Sequence, residues 1–190
     1  MTMLLPARYP KLPRVLVHAE VLHPRLEAAL HWAFNSVLGL GWQWERNADD
    51  FVASDAPWKL QYGGSPRAGH WVRPCGLLAG TERTEAPPEA EADSSEDLLA
   101  LIFWMASRME EHTGTERRDE HGRFNPEGTV PWTKGWLDRP VCELWAFALG
   151  SEVLGEDWAA HEARLRAEYC VRPTLDVDRR TQYSARNRAS

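Results

Sequence analysis

An apolar run followed at once by a helical pattern is the feature that most constrains the fold of this chain. The segment RVLVHAE, residues 14–20, is apolar enough for a buried strand. In the next segment, HPRLEAALHWAFNSVLGLG, apolar residues recur at helical spacing: Leu26, Leu30, Ala33, Phe34, Val37 and Leu38. Pro24 suits a first helical turn, and Gly39 or Gly41 suits its end. A strand followed directly by a helix predicts an α/β fold.

Four later segments of the N-terminal half favour extended structure. GWQWERN, DDFVAS, PWKLQYGG and HWVRPCGLLAG are short, aromatic or β-branched, and bounded by Asp, Pro and Gly. Each is predicted to form a strand or a strand fragment. The N-terminal half is therefore expected to be rich in β-α-β units.

The C-terminal half is predicted to be helical. EDLLALIFWMASRMEEHTG is strongly apolar, with Ser94 or Ser95 as its N-cap and Gly114 at its end. Its expected buried stripe is Leu98, Leu101, Ile102, Met105 and Met109. PVCELWAFALGSEVLG and DWAAHEARLRAEY predict two more helices. Residues 115–140, between the strongly apolar helix and these two, are polar and rich in Gly and Pro, which indicates an ordered loop with turns.

The domain organisation follows from these patterns and from composition. At 190 residues the chain suits a single compact module of mixed α/β class. Residues 81–96 are acidic, rich in Pro and Ala, and without apolar periodicity, so they predict a linker. We expect an N-terminal α/β module over residues 1–172 and a separate C-terminal tail over residues 173–190.

Charge and hydropathy exclude several classes of protein. A formal net charge of -6 lacks the clustered Lys and Arg that nucleic-acid binding requires, so no nucleic-acid partner is expected. No run of about 18 apolar residues indicates a membrane span, and no signal peptide is visible. Cys75, Cys142 and Cys170 are odd in number and widely spaced, which predicts buried free thiols and a cytoplasmic location.

The segment TLDVD near the C-terminus carries the sharpest chemical signal. Asp176 and Asp178 occupy alternate positions, so in an extended strand their side chains point to the same face. Two such carboxylates can converge on one cation or one water. Solvent-facing acids in a tail have the same spacing, and the sequence leaves both interpretations open.

Charged residues also cluster at the end of the apolar helix and in the loop after it. Arg108 and Glu111 stand three residues apart, which suits an ion pair that anchors the helix to the loop or a site that binds a ligand. The remaining members of this cluster are Glu110, Asp119, His121 and Arg123.

Two tryptophans follow in the loop segment PWTKGWLDRP. Trp132 and Trp136 are apolar platforms that suit stacking on sugar rings, although loop tryptophans also commonly close the edge of a core. Both interpretations stay open.

Three segments together resemble a known family. LLALIFWMASRMEEHTGTERRDEHGRF, KGWLDRPVCELWAFAL and RPTLDVD look like the N-terminal module, a domain of unknown function, of bacterial polysaccharide deacetylase-like (NodB-type) proteins. The shared order is a helix ending in Arg-x-Glu-Glu, an Asp-x-x-Gly-Arg-Phe loop, a Trp-containing helix and a Thr-x-Asp-x-Asp strand. That order runs from about Asp97 to Asp178.

The resemblance implies roles for the C-terminal residues. Residues 174–178 look like the first catalytic strand of a deacetylase barrel, with Asp176 as general base and Asp178 as a metal ligand. The complete family site holds a divalent, zinc-like metal through two further histidines. Residues 173–190 would then be the truncated start of that barrel, forming a disordered tail, and no cofactor is expected in this chain alone.

The resemblance therefore implies a non-catalytic accessory module that is inactive alone. Its implied partner is a deacetylase barrel, in cis or in trans, and a glycan is a second candidate. Two other function classes stay open. One is a stand-alone metal-dependent hydrolase that uses the acids and histidines of residues 107–124, and the other is a protein-interaction module.

Overall fold

The computed structural model describes residues 13–80, 97–113 and 118–168. Its strands are β1 (Arg14–Ala19), β2 (Gly41–Glu45), β3 (Lys59–Tyr62) and β4 (His70–Val72). In the described part of the chain they form one parallel sheet in the order β2-β1-β3-β4. With the helices that follow, this sheet confirms the predicted mixed α/β class.

Helices connect the strands and make up the second half. They are α1 (Pro24–Leu30), α2 (Ala48–Ala53), α3 (Leu98–Ala106), α4 (Met109–Thr113), α5 (Val130–Thr133), α6 (Val141–Leu154) and α7 (Trp158–Glu168). The first helix continues as a π-helical segment, His31–Val37, and a 3-10 turn, Gly155–Asp157, joins the last two.

The first helix has the limits that its sequence predicts. Pro24 stands in its first turn, and Gly39 beyond its end has a φ of 60°, a left-handed conformation that glycine adopts without steric cost. The predicted face is buried except for Val37, which is half-buried. This face lies against the sheet and against α3.

The two faces of the sheet are covered unequally. Val17 of β1 belongs to the main core, which it shares with the helices α1, α3 and α6. The next residue, His18, points to the opposite face, where its ring stacks on Phe51 of α2 at 5.3 Å between centroids. Three helices therefore cover one face, and the six-residue helix α2 lies against the other.

The prediction of a strand for DDFVAS is wrong, because this segment forms α2. The side chain of Asn47 accepts hydrogen bonds from the backbone N–H groups of Asp49, at 2.9 Å, and Asp50. Asn is a strong N-cap, and two acids in the first turn favour a helix through its dipole. These local signals outweigh the strand propensity of Phe51 and Val52.

The apolar helix of the second half also differs from its prediction in two respects. Its N-cap is Asp97, whose side chain accepts from the backbone N–H of Ala100, whereas Ser94 and Ser95 lie outside the described residues. The helix is also interrupted between α3 and α4, where Arg108 has a φ of 53°.

The buried surface of this helix is wider than the predicted stripe. Leu101, Ile102 and Met109 are buried as expected, but Leu98 and Met105 are only half-buried. Leu99, Ala100 and Trp104 are buried in addition. The reason is that α3 packs between α1 and α6, so that side chains on two sides of the helix are shielded from solvent.

The last helix attaches through one buried histidine. Nε2 of His161 lies 2.8 Å from the carbonyl oxygen of Leu38, so this nitrogen donates, and Nδ1 accepts from Arg164 at 3.0 Å. Leu165 packs beside Gly39, where an added Cβ would lie 3.5 Å from its Cδ2. These contacts hold α7 against the end of the first helix.

Several predictions fall outside the described residues. They are the linker at 81–96, the tail at 173–190 and the position of Cys170. The expectation of buried thiols is wrong for Cys75, which is exposed, and Cys142 is half-buried. None of the helices in the described ranges is long and apolar enough to cross a membrane.

Candidate functional site

A strained backbone position separates α3 from α4. Arg108 is the one non-glycine residue of the described ranges with a positive φ, a conformation that costs an L-residue about 1 kcal/mol or more. Hydrogen bonds fix it, because its N–H donates to the Met105 carbonyl and its own carbonyl accepts from Glu111. The break turns α4 away from the axis of α3 and leaves a recess beside it.

Arg108 and Glu111 form an ion pair at this break. Nε of Arg108 donates to Oε1 of Glu111 at 2.6 Å, and Nη2 contacts Oε2. The arginine side chain is 67% exposed and the glutamate side chain 25% exposed. Because both residues belong to the same turn, this pair does not make the expected anchor between helix and loop.

Glu110 makes that anchor instead. Both of its carboxylate oxygens accept from the backbone N–H of Val130, each at 3.2 Å. Val130 is the first residue of α5, whose N-cap is Thr129. A carboxylate at the N-terminus of a helix satisfies free N–H groups, so Glu110 fixes α5 against α4.

A cleft of about 190 Å³ lies between the α3–α4 break and the loop after it. Its apolar lining is Trp104, Met105, Met109, Phe124, Pro126, Pro131 and Leu137. Thr129 and the charged residues Arg108, Glu110 and Glu111 complete its wall. We call this recess the helix–loop cleft. It brings three of the predicted cluster residues together around an apolar space.

The other members of the predicted cluster form a separate turn. Asp119 accepts from the backbone N–H of His121 and of Arg123, and from Nε of Arg123 at 2.8 Å. The hydrogen bond from the Arg123 backbone is the main cause that lowers the pKa of Asp119. His121 is exposed and contacts Glu120 at 3.5 Å. Asp119 thus orders the turn that precedes Phe124.

Exposed apolar side chains continue from the cleft across α5 and the start of α6. Trp132 is 52%, Leu137 50% and Leu144 43% exposed. The half-buried rings of Trp136 and Trp145 meet edge to face, at 5.1 Å and 88°. We call Trp132, Leu137 and Leu144 the apolar surface. Trp136 is thus half-buried against Trp145, which packs on the core, whereas Trp132 is largely exposed to solvent.

The carboxyl edge of the sheet, where α/β proteins commonly bind ligands, is filled by packed side chains. Oη of Tyr62 donates to Oδ2 of Asp97 at 2.6 Å, and both side chains are buried. Leu78 is fully buried there, and the guanidinium of Arg25 donates to the Leu77 carbonyl at 3.0 Å. The side chains at this edge pack against one another as in a protein core.

Neither described thiol has the character of a nucleophile. Burial, with a smaller effect of Glu143, raises the pKa of Cys142 to about 11. Desolvation by neighbouring protein atoms is also the main cause that raises the pKa of Cys75, although the residue as a whole is exposed. Both sulfurs are therefore protonated at neutral pH, and the thiolate is the reactive form of cysteine.

A second depression lies at the amino edge of the sheet, between β3, β4 and the end of α6. It is open, with a volume of about 580 Å³, and its wall includes Lys59, His70 and Glu152. Burial lowers the pKa of His70, although the charge of Glu152 acts in the opposite direction. The ammonium of Lys59 donates hydrogen bonds to the carbonyl oxygens of Val52 and Ser54.

The sequence indicates some of these candidate residues and gives no sign of others. Asp176 and Asp178 lie outside the described residues, and within the described ranges no three His, Cys, Asp or Glu residues could hold a metal ion together. Tyr62 and Asp97 were missed by sequence reasoning, and only the N-cap preference of Asp could have indicated Asp97. The cleft itself has no sequence signal, since it depends on how the loop folds back.

Comparison with known proteins gives one match. The model of a family described as "Family of unknown function (DUF7033)" matches residues 15–158. This range contains the helix–loop cleft and all of the described sheet except Arg14, the first residue of β1. No curated protein and no solved structure matches the chain.

Proposed function

We propose that this chain, which belongs to the DUF7033 family of unknown function, is a non-catalytic accessory module of a polysaccharide deacetylase-like protein. In this proposal it docks onto a carbohydrate deacetylase domain, in cis or in trans. Asp176 and Asp178, by resemblance, would belong to the barrel site, with a divalent metal as its cofactor.

The apolar surface is the observation that carries the proposal. Three large side chains, Trp132, Leu137 and Leu144, are each at least 43% exposed within one stretch of the chain. Exposed large apolar side chains beside a cleft are features of interaction sites, and Leu137 lines the helix–loop cleft. Tryptophan is also enriched among the residues that dominate binding energy. A docking role explains why these residues are not buried.

The rigidity of the same surface supports a docking role. Oγ1 of Thr129 accepts from the N–H of Trp132, and Glu110 holds Val130. Trp136, the residue before Leu137, contacts Trp145 of α6 edge to face. A surface that is ordered before binding loses less conformational entropy when it docks.

The bonding of the acids favours docking over hydrolysis. Glu110 accepts from Val130, Glu111 pairs with Arg108, and Asp119 is held by Arg123. A general base must instead reach a proton on substrate or water. These acids therefore act as supports of the loop and its short helix.

The resemblance supplies the identity of the partner. The motif order from about Asp97 to Asp178 resembles the module that leads into a NodB-type barrel. The first of these motifs, through Phe124, supplies most of the cleft lining, and the second supplies Leu137 and Leu144. Trp132 and three residues of the cleft lie between the two segments, so the resembling segments and the exposed surface overlap in part.

Isothermal titration calorimetry with a NodB-type deacetylase domain from the same genome tests the proposal. We expect saturable binding that Leu144→Ser weakens about tenfold, because the substitution removes apolar contact area. Val52→Ser is the matched control, since Val52 is equally exposed on α2, away from the apolar surface. No heat of binding to the wild-type chain would overturn docking.

An activity assay tests the non-catalytic part separately. The purified chain, supplied with Zn²⁺ and N-acetylated oligosaccharides, should release no acetate. Acetate release that Glu110→Gln or Glu111→Gln abolishes would instead support the hydrolase of residues 107–124, because these two carboxylates line the cleft.

A further inference from the structure

We propose that the helix–loop cleft binds one neutral sugar unit of a glycan, whose ring packs on the apolar lining and whose hydroxyl groups bond to Arg108 and Glu111. The inference goes beyond the docking role, since it concerns a small ligand and a different set of side chains. Trp132 and Leu144 of the apolar surface do not line the cleft, and Leu137 belongs to both. Sugar binding and docking are therefore separate properties.

Arg108 occupies a backbone position at which glycine would be more stable. Its φ of 53° lies in the left-handed region, which glycine adopts without steric cost and an L-residue does not. Its side chain pairs with Glu111 of the same turn and is 67% exposed, and an ion pair this exposed offsets little of the strain. Strained backbone of this kind clusters at ligand sites, and Arg108 lines the cleft. A ligand that uses the guanidinium explains why an arginine stands here.

The charges of the lining favour a neutral ligand. Its charged residues are Arg108, Glu110 and Glu111, and each is bonded, since Glu110 accepts from the N–H of Val130 and Glu111 accepts from Arg108. An anionic ligand would meet two carboxylates, and a cationic ligand would have to displace the guanidinium from Glu111. Either would lose solvation without a full partner in return.

Arg108 and Glu111 together present donors and acceptors side by side. Nε of Arg108 donates to Oε1 of Glu111 and Nη2 contacts Oε2. These bonds leave further N–H groups of the guanidinium and further lone pairs of the carboxylate unused by the pair itself. A hydroxyl group both donates and accepts, so adjacent hydroxyls of a sugar ring can bond to both members and leave the ion pair intact.

The size and the apolar lining of the cleft suit a single ring. Its volume of about 190 Å³ lies below the range of about 300–1,000 Å³ for pockets that enclose drug-sized ligands. Seven of the eleven lining residues are apolar, and two of these, Met105 and Phe124, are half-buried and so keep exposed area for a ligand. The C–H face of a sugar ring can pack on this apolar area while its hydroxyl rim bonds to the charged pair.

NMR titration of the nitrogen-15-labelled chain with diacetylchitobiose and with cellobiose tests the inference. We expect at least one of these neutral sugars to shift the Nε–H signal of Arg108 and the amide signals around the cleft, with a Kd below about 10 mM. A glucosamine disaccharide and a digalacturonate are the cationic and anionic counterparts, and about 0.5 M salt screens long-range attraction. Both should bind about tenfold more weakly than the neutral sugar.

Arg108→Gly is the most informative variant, because glycine keeps the backbone conformation and removes the guanidinium. It should raise the sugar Kd about tenfold, while the midpoint of thermal unfolding stays equal or rises. Phe124→Ala removes apolar lining and should weaken binding as well. Arg166→Ala is the matched control and should leave binding unchanged. Arg166 pairs with Glu162 on α7 at nearly the same exposures, 71% and 27%, and does not line the cleft.

Four results would overturn the inference. These are no shift with either neutral sugar up to about 20 mM, tighter binding of a charged disaccharide to the cleft, sugar binding that folded Arg108→Gly and Phe124→Ala leave intact, and an unfolding midpoint that Arg108→Gly lowers. The calorimetric titration with the deacetylase domain contains no sugar and relies on Leu144→Ser. Failure of sugar binding and failure of docking are therefore distinguished.

Discussion

The phenol of Tyr62 and the carboxylate of Asp97 are joined by a buried hydrogen bond of 2.6 Å between Oη and Oδ2. The bond connects the last residue of β3 to the N-cap of α3, across the segment that includes residues 81–96. Asp97 also accepts from the backbone N–H of Ala100 and of Cys75. One side chain thus joins the sheet, the loop after β4 and the second half of the fold.

Asp97→Ala should lower the free energy of unfolding by about 2–4 kcal/mol. It removes an N-cap, at about 1 kcal/mol, and leaves the buried Tyr62 hydroxyl without an acceptor, at about 1–3 kcal/mol. Tyr62→Phe is the matched control and should cost only about 1 kcal/mol. Urea unfolding at pH 7 measures both, and equal costs would contradict the capping role.

Asp97 should also give the stability of the protein a specific pH dependence. Burial, the largest cause, raises the pKa of Asp97 above its usual 3.8. Because the pKa of Asp97 is higher in the folded state than in the unfolded state, protonation of Asp97 favours the folded state. Its contribution to the free energy of unfolding is therefore largest below pH 3.8 and is lost as the pH rises through the folded-state pKa.

Asp97→Asn should remove this contribution while keeping the cap, because the Asn oxygen in place of Oδ1 accepts from Ala100 and the amide nitrogen in place of Oδ2 can donate to the Tyr62 hydroxyl oxygen. The unfolding free energy of the variant, relative to wild type, should therefore increase as pH rises above 3.8. Parallel urea titrations at several pH values from 4 to 7 measure the difference, and a constant difference would refute the raised pKa.

Gly150→Ala should destabilise the contact between α6 and α7. An added Cβ would lie 2.6 Å from the ring of Trp158 and 3.1 Å from a methyl carbon of Leu38. Overpacking costs about 1–3 kcal/mol and outweighs the gain of about 1 kcal/mol from replacing glycine in a helix. Thermal unfolding measures the loss. Ser151→Ala on the same helix is the control and should change stability by less than about 0.5 kcal/mol.

Gly69→Ala should lower the free energy of unfolding by more than the positive φ of this residue alone explains. Gly69 has a φ of 68°, and an added Cβ would lie 2.4 Å from the carbonyl oxygen of Lys59. Gly122 has a similar φ of 74° but open space around it, so Gly122→Ala isolates the conformational cost of about 1 kcal/mol. Denaturant unfolding measures the free energy of unfolding of both variants. Similar decreases would show that strand β3 shifts to make room for the added methyl group.

The sequence predicted the first helix well because its signals are local. Pro24 and Gly39 mark the helix limits, and the apolar spacing between them marks its buried face. The signal for α2 was also local, in Asn47 and the two acids after it, but Phe51 and Val52 suggested a strand. The N-cap at Asn47 outweighs this strand propensity in the folded chain.

The candidate site was predictable only in part. The residues Arg108, Glu110 and Glu111 were identified as a cluster, but their partners were not. No glycine or proline indicated the break at Arg108, which depends on packing and on bonds to neighbouring turns. The anchor from Glu110 to Val130 spans twenty residues, and such a contact has no periodic pattern in the sequence.

The parallel sheet has a consequence for how the chain assembles over time. The first strand of the described residues, β1, is an inner strand that pairs with β2 on one side and β3 on the other. Parallel strands cannot join through a tight hairpin, so each pairing must first close a long loop. The non-local pairing makes folding slower than in a helical bundle. A nascent chain that stalls before Lys59 thus exposes one unpaired side of β1, a template for aggregation.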